Sequence, residues 1–567
     1  MQREEEDPMT YPIRGATLQT DRARPSRRRL LQGSAFAALG TALLPTIAAC
    51  AGTEQTTPPS DHRVDILISG GQVYDGAGNP WVRRDIGIIG DKITFVGRAD
   101  IAGVVGKETI DATGLVVTPG FIDMHSHADP DEPDSRTMLP QRYQGITTVV
   151  VGVDGWGRDT VSEDFTRYRQ NGMGANLVTY VGFNAARKAV MGMSDQPATR
   201  EQIAAMQDYI ERGMRGGAFG MSSGLFYTPG VYAGTDEVIE VATVSGRYHG
   251  IYDTHDRDLG AVYEGIGFLA SIAEAIEIGE KSGNRVIFSH FSPQSVRNYG
   301  RAPEGAALIE RARARGVDVM AAQHPYTATM TDLKSYALPS WALAGGKDAL
   351  LGRYRDPATR MRMQRDSEQM LDIRGGAGKI VFVEPDPELN GRSLQQVADR
   401  WDVSPFEVVI RMMRRQFELT VVMNMDLYDI DNIRYLATQD WMMTCTDGIS
   451  APPGPGRSHP RSFGAFTNKL RRLALDERRV TLPHVIRGMT GLAATFLGLR
   501  ERGYIQEGFY ADINVIDLAK LRDNATYEDP QRYSDGMVEV LVNGQFALRD
   551  GQATETLAGV PIARTDS

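Results

Sequence analysis

Pro119-Gly120-Phe121-Ile122-Asp123-Met124-His125-Ser126-His127-Ala128-Asp129 is the stretch on which the reading of this chain turns. The apolar run Leu115-Val116-Val117 leads into Pro-Gly, and two histidines follow at alternate positions. Residues i and i+2 of a strand project to one face. His125 and His127 are thus set side by side, as two imidazoles on one metal ion must be. Alone, a His-x-His is as readily an accident of composition as a ligand pair. What lies downstream decides between them.

Outward from this stretch, strand-like runs alternate with helical ones, the pattern of parallel β/α units. Eight candidate strands end at His127, Gly152, Gly182, Gly224, His255, His290, His324 and Asp447. Eight closes a β/α barrel, whose chemistry sits at the C-terminal ends of its strands. Five of these runs end in, or run just into, a metal-capable or acidic side chain: His127, His255, His290, His324 and Asp447. A sixth, Gly145 to Gly152, meets Asp154 two residues later. The chain holds only nine histidines in 567 residues, so scatter does not account for this placement. The interval from His324 to Asp447 is too long for one helix. It reads as a mostly helical insertion, at about 327–438, that overhangs the barrel mouth.

Short alternating strands with glycine turns fill Val64 to Thr113, among them Val64-Asp65-Ile66-Leu67-Ile68 and Lys92-Ile93-Thr94-Phe95-Val96. Ala511 to Asp517 and Val538 to Gly544 have the same character. The expected fold class is therefore α/β: a TIM-like (β/α)8 barrel over 115–499, with residues 63–114 and 500–567 forming one composite β-sandwich. Its length, too great for a single ordinary core, agrees.

The N-terminus reads differently. Ser26-Arg27-Arg28-Arg29-Leu30-Leu31-Gln32 resembles a twin-arginine export signal. The apolar run from Gly33 to Ala49 is short for a membrane span and contains Gly40 and Pro45. It ends in Ile47-Ala48-Ala49-Cys50, which resembles a bacterial lipobox, whose cysteine becomes lipidated. Ordinary cleavage near Ala49 and an uncleaved anchor are the alternatives. Residues 1–50 are thus expected to be a signal and 51–62 a tether rich in Thr, Pro and Ser. The expected location is the periplasm or cell envelope, with membrane contact only through a lipid at Cys50. With two cysteines in all, a disulfide framework is excluded. A net charge of −10 argues against a nucleic-acid binder.

Taken physically, the site set is His125, His127, Asp154, His255, His290 and Asp447. Imidazoles and carboxylates suit Zn²⁺, Mn²⁺ or Fe²⁺, and the set is large enough for two ions if a carboxylate bridges them. A divalent metal is expected, zinc first, as one ion or two. It would lower the pKa of a bound water toward about 7. Asp447, at the end of the last strand, is placed to take the water proton and return it to a leaving nitrogen.

At this point the residues resemble a family. Val116-Val117-Thr118-Pro119-Gly120-Phe121-Ile122-Asp123-Met124-His125-Ser126-His127 resembles the first-strand motif of the amidohydrolase superfamily. Gln144 to Gly152, Gly217 to Tyr227, His459-Pro460-Arg461-Ser462-Phe463-Gly464 and Met489 to Ala494 are similar to motifs of its N-acyl-D-amino-acid deacylases, the D-aminoacylases. The resemblance implies a metal-dependent barrel that hydrolyses the amide of an N-acyl-D-amino acid. It implies that His125 and His127 are first-strand ligands, that His255 and His290 hold the tighter metal, and that Asp447 is the general base. It also implies that Tyr326 and Arg461 bind the substrate carboxylate.

Two departures stand out. Where the family has Asn-Cys-Gly with a shared cysteine ligand, this chain has Val153-Asp154-Gly155. Asp154 is then a harder bridging ligand, or a turn residue before Gly155. Where the family has a lysine two residues past the histidine at His290, this chain has Ser292. Ser292 and His324 join Tyr326 and Arg461 as substrate-side candidates, with His324 equally a partner of a metal-site residue. The missing lysine keeps open a second reading, an amide without a free carboxylate such as a cyclic amide or dipeptide. A third is a non-catalytic envelope binding lipoprotein, whose mark would be loss of Asp447 or of several histidines. The expected partner is a small-molecule amide. Arg257 reads as an ion-pair residue, His459 as a positioner of the Arg461 loop, and Cys445 as a small buried filler. Arg374-Gly375-Gly376-Ala377-Gly378 lacks the spacing of a phosphate loop.

Overall fold

A computed structural model describes residues 62–418, 420–454 and 458–565. The expected signal over 1–50 and the tether as far as 61 lie outside the described residues.

Both ends of the chain supply strands whose apolar side chains meet in one core. His62–Val73, Val82–Ile89, Lys92–Gly97, Val104–Asp111 and Val116–Pro119 join Ile513–Ile516, Met537–Val542, Gln545–Arg549 and Gln552–Ala553 in a nine-stranded sheet. Ile66, Ile68, Ile86 and Ile88 pack there with Ile513, Val515 and Leu541. The far edge of the sheet returns to the C-terminal segment, because Ile93 N–H donates to Phe509 O at 2.8 Å. The composite β-sandwich is thus built from both termini. Its boundary differs from expectation. Val116–Pro119 pairs antiparallel with Ile513–Ile516, Val117 facing Val515, and so belongs to this module. The barrel starts beyond Gly120, where the chain passes so close to Thr147 that a Cβ would sit 2.1 Å from its hydroxyl oxygen.

The barrel strands are Phe121–Asp123, Ile146–Val151, Asn176–Thr179 continued by Val181–Gly182, Gly220–Gly224, Ile251–His255, Arg285–Phe288, Val319–Gln323 and Met442–Thr444. Paired neighbours run parallel, and the strands are buried almost throughout, as parallel strands covered by helices are. Eight strands close the ring, since Met124 N–H donates to Thr444 O at 3.2 Å and Asp447 N–H to His125 O at 2.9 Å. The outer helices include Arg200–Arg215, Thr235–Gly246, Phe268–Ser282 and Ala302–Ala314. The first of these starts at a capping box in which Thr199 and Gln202 satisfy each other's backbone N–H.

Between the seventh and eighth strands lies the insertion. Its helices Leu333–Ala337, Gly346–Arg355, Pro357–Ile373, Leu394–Trp401 and Pro405–Arg415 pack around Leu333, Met363, Phe382, Phe406 and Val409. It also contains a three-stranded antiparallel sheet of Thr329–Asp332, Val421–Asn424 and Ile380–Phe382, which the sequence pattern did not reveal. Strands of three or four residues are too short to show a period of two. Among the described residues, no helix is long and apolar enough to cross a membrane.

Candidate metal centre

The strands deliver the site residues to one end of the barrel. His255 closes its strand, while His125, His127, Asp154, His290 and Asp447 fall just beyond theirs. Asp154, His290 and Asp447 have φ of 55°, 32° and 50°, a region that non-glycine residues seldom occupy. Three such residues at one rim mark a place where backbone conformation is held by its surroundings rather than by local preference.

Asp154 is the centre of the cluster. Its Oδ1 lies 3.6 Å from His125 Nε2, 3.5 Å from His255 Nδ1 and 3.9 Å from His290 Nε2. Its Oδ2 lies 3.5 Å from His127 Nε2. The donors form two groups, His125–His127–Asp154 and Asp154–His255–His290, each with its atoms within 4.8 Å of one another. Tetrahedral bonds of about 2.1 Å place ligand atoms about 3.4 Å apart, close to most of these separations. Asp447 completes the cluster, with Oδ1 at 3.6 Å from His125 Nε2 and 3.1 Å from His127 Nε2. His125 Nε2, Asp154 Oδ1 and His255 Nδ1 are buried without a hydrogen-bond partner. A buried polar atom left unmet costs about 1–3 kcal/mol, so several converging on one space fit a cation. Nitrogen and carboxylate donors in this number fit divalent metal, and Asp154 stands where one carboxylate can serve both groups.

The charges fit as well. Burial pushes His125 down to about 3 and lowers His255, leaving both imidazoles neutral, the form in which they ligate. For Asp154 burial opposes ionisation, yet the neighbouring imidazoles of His125, His255 and His290 hold its carboxyl well below the usual range. For Asp447 burial is likewise overcome, by Arg461, His290 and His127, and its pKa is low. Burial opposes protonation of His127 and His290, but the two carboxylates raise both. Behind the site, Asp123 accepts from Thr446 N–H at 2.8 Å, Thr446 Oγ1 at 2.5 Å and His125 N–H at 3.4 Å. It thereby ties the first barrel strand to the last, and burial pushes it up to about 7.

These groups open into a cavity of about 250 Å³, lined on the barrel side by His127, Asp154, His255, His290, Asp447 and Arg461. Phe226, Tyr227, Tyr336 and Tyr428 wall it. Arg461 is 3% exposed, and its Nη1 lies 2.5 Å from Asp447 Oδ2. His459 holds this arginine in place: its Nδ1 accepts Arg461 N–H at 3.0 Å, and its Nε2 meets Ala328 O at 3.0 Å. Arg257 forms an ion pair with Glu274 at 2.8 Å, and Cys445 is fully buried.

Two expected substrate contacts are corrected. Tyr326 does not line the cavity. Its hydroxyl is buried and donates to Asp523 Oδ2 at 2.6 Å, a partner brought in by the C-terminal segment. Ser292 is 2% exposed and also stands outside the cavity. His324 sits behind Asp447, with Nε2 at 4.0 Å from Asp447 Oδ2, and its Nδ1 accepts Tyr326 N–H. Sequence reasoning overlooked Tyr428 and Phe226, cavity walls that carry no local signal.

Comparison with known proteins agrees with this architecture. The model of the amidohydrolase family (Amidohydro_3) matches residues 108–547. A D-aminoacylase of Alcaligenes xylosoxydans xylosoxydans is 33% identical over 88% of this chain and 98% of its own length. A solved D-aminoacylase, described in terms of its binuclear metal centre with one-metal activation and second-metal attenuation, superposes with a TM-score of 0.74. It is 30% identical over 88% of this chain and 100% of the other. The N-acyl-D-glutamate deacylase of Bordetella bronchiseptica, complexed with zinc and a phosphonate mimic of the tetrahedral intermediate, also gives 0.74, at 27% identity over the same shares. Family model, relatives and barrel converge: the chain belongs to the amidohydrolase family, in its branch of D-aminoacylases and N-acyl-D-amino-acid deacylases.

Proposed function

We propose that this protein hydrolyses the amide of N-acyl-D-amino acids with the help of divalent metal, zinc first. The observation that carries this reading is the shared Asp154 between two histidine pairs, with Asp447 and Arg461 paired in the cavity wall. The similar deacylases that bind zinc or carry a binuclear centre support it.

His125, His127, Asp154, His255 and His290 would hold the metal. Bound there, it supplies Lewis acidity, acidifying a water and polarising the amide carbonyl. The chain's own residues do the rest. Asp447 accepts the water proton on a carboxylate oxygen and passes it to the departing nitrogen. Arg461 offers a guanidinium fork to the substrate carboxylate. As it does so, its bond to Asp447 Oδ2 is shared with the incoming carboxylate, freeing that oxygen for proton transfer. Tyr227, Phe226 and Tyr428 exclude water from the rim. The test is turnover by the zinc-loaded protein on matched N-acyl-D- and N-acyl-L-amino acids. D-selective release of the free amino acid is expected, and metal-loaded protein that turns over neither enantiomer overturns the reading.

The reading includes export and lipidation. It rests on Ser26 to Gln32 and on Ile47-Ala48-Ala49-Cys50. Growth with a labelled fatty acid checks it: label should enter the protein and vanish in Cys50→Ser, and an unlabelled wild type refutes the anchor.

A further inference from the structure

Arg374 follows the insertion helix Pro357–Ile373 and is 2% exposed. None of its three guanidinium nitrogens has a hydrogen-bond acceptor. Its guanidinium carbon lies 4.3 Å from the ring centre of Tyr336 and 5.4 Å from that of Phe226. Both rings line the catalytic cavity, and Phe226 stacks on the metal-site imidazole of His255 at 5.4 Å. The cation therefore stands one aromatic ring away from the reacting centre.

An arginine in this setting stays charged. Contact with aromatic faces returns only part of what burying an ion costs. Asp258 is the acid whose charge acts on Arg374, but its oxygens accept the backbone N–H groups of Gly260, Val262 and Gly267. A desolvated guanidinium with its donors unspent is a ready-made partner for a carboxylate. Tyr336 is fixed by a 2.5 Å hydrogen bond between its hydroxyl and Thr329. Phe226 is half-buried and has no polar anchor, so it is the part of the wall that can turn aside.

We propose that Arg374 is an anion subsite that receives a second carboxylate of the substrate, beyond the α-carboxylate taken by Arg461. The preferred substrates are then dicarboxylic N-acyl-D-amino acids. This rests on the deacylase reading and narrows its substrate class. The second acid has two sources, the side chain of an acidic D-amino acid or the acyl group itself.

N-acetyl-D-glutamate, N-succinyl-D-leucine and N-acetyl-D-leucine separate these cases, with wild type, R374K and R374M compared by kcat/KM and by calorimetric binding. The expected result is a wild-type preference for one dicarboxylic compound over N-acetyl-D-leucine. That acid-to-neutral ratio should fall roughly tenfold or more in R374M, with partial retention in R374K. Preference for the glutamate compound assigns the subsite to the side chain, and preference for the succinyl compound to the acyl group. A ratio unchanged in R374M, or a wild type that prefers N-acetyl-D-leucine in both measurements, overturns the proposal. If no compound is turned over, the deacylase reading fails. The binding ratio still decides on Arg374, and R374K keeps the comparison available should R374M fail to fold.

Discussion

Two buried polar clusters in this molecule use similar residues to opposite ends. Where the terminal module meets the barrel, Arg502 is bonded to Asp512 and to Asn543 Oδ1. Asn543 N–H donates to Asp512 Oδ1 at 2.8 Å, its Nδ2 to Asn176 Oδ1 at 2.8 Å, and Asn176 Nδ2 to Asp512 Oδ2 at 3.2 Å. The network closes on itself. At the barrel mouth, His125 Nε2, Asp154 Oδ1, His255 Nδ1 and all three Arg374 nitrogens are equally buried but lack hydrogen-bond partners. A satisfied buried network fastens elements together, whereas convergent unsatisfied atoms are held in readiness for something else. The same chemistry thus gives a fastener in one place and a binding site in the other, and completeness separates the two.

The contrast is sharpest in paired substitutions. Asp154→Ala removes the ligand shared by both donor groups. Structural zinc binding of about 10–16 kcal/mol over four ligands implies about 2.5–4 kcal/mol for each, so metal affinity should fall roughly a hundred- to a thousandfold. Turnover should fall with it, while the metal-free variant melts like metal-free wild type. Metal content after dialysis, with thermal melts, decides this, and a metal-free variant that unfolds would place Asp154 among the fasteners. Asp512→Ala should do the reverse. It leaves Arg502 buried with its charge uncompensated, at a cost of about 3 kcal/mol of stability, and turnover per folded molecule is retained. Denaturant unfolding and active-site-normalised kcat measure the two sides. Loss of kcat at unchanged stability would dissolve the distinction.

The fastened part of the molecule was the more legible in sequence. Alternating Val and Ile at both termini announce the composite module, and histidines or acids at successive strand ends announce the barrel and its rim. These are local patterns whose period or position survives in one dimension. In sequence Val116–Pro119 reads as part of the barrel because its apolar run leads into the first barrel strand, while its actual partner, Ile513–Ile516, lies nearly 400 residues on. Tyr326 is a substrate contact only by family resemblance, and here its hydroxyl is taken by Asp523, an acceptor that another segment contributes. For Arg374 the only local mark is the glycine-rich run that follows it, which says nothing of its burial. Its burial and isolation arise only when the insertion packs over the barrel mouth, so no property of its neighbours in sequence signals them.

Lys469 tests whether completeness alone makes a buried ion inexpensive. It is fully desolvated, yet its Nζ donates to Met443 O at 3.1 Å and Thr444 Oγ1 at 2.9 Å, bracing the strand that leads to Asp447. Burial nonetheless pushes it down to about 8 from an ordinary 10.5. Between those values the unfolded chain binds more protons than the folded one, so stability rises with pH. Below about pH 8 both states are protonated and the whole burial penalty is felt. The gain from about pH 7 to about pH 9 should be about 1.4 kcal/mol, and it should be absent from Lys469→Met. The wild-type-minus-variant difference in unfolding free energy isolates this from other titrations. A difference that does not change with pH would mean that two neutral acceptors compensate a buried ammonium fully. The unmet guanidinium of Arg374 would then be the more exceptional of the two buried cations.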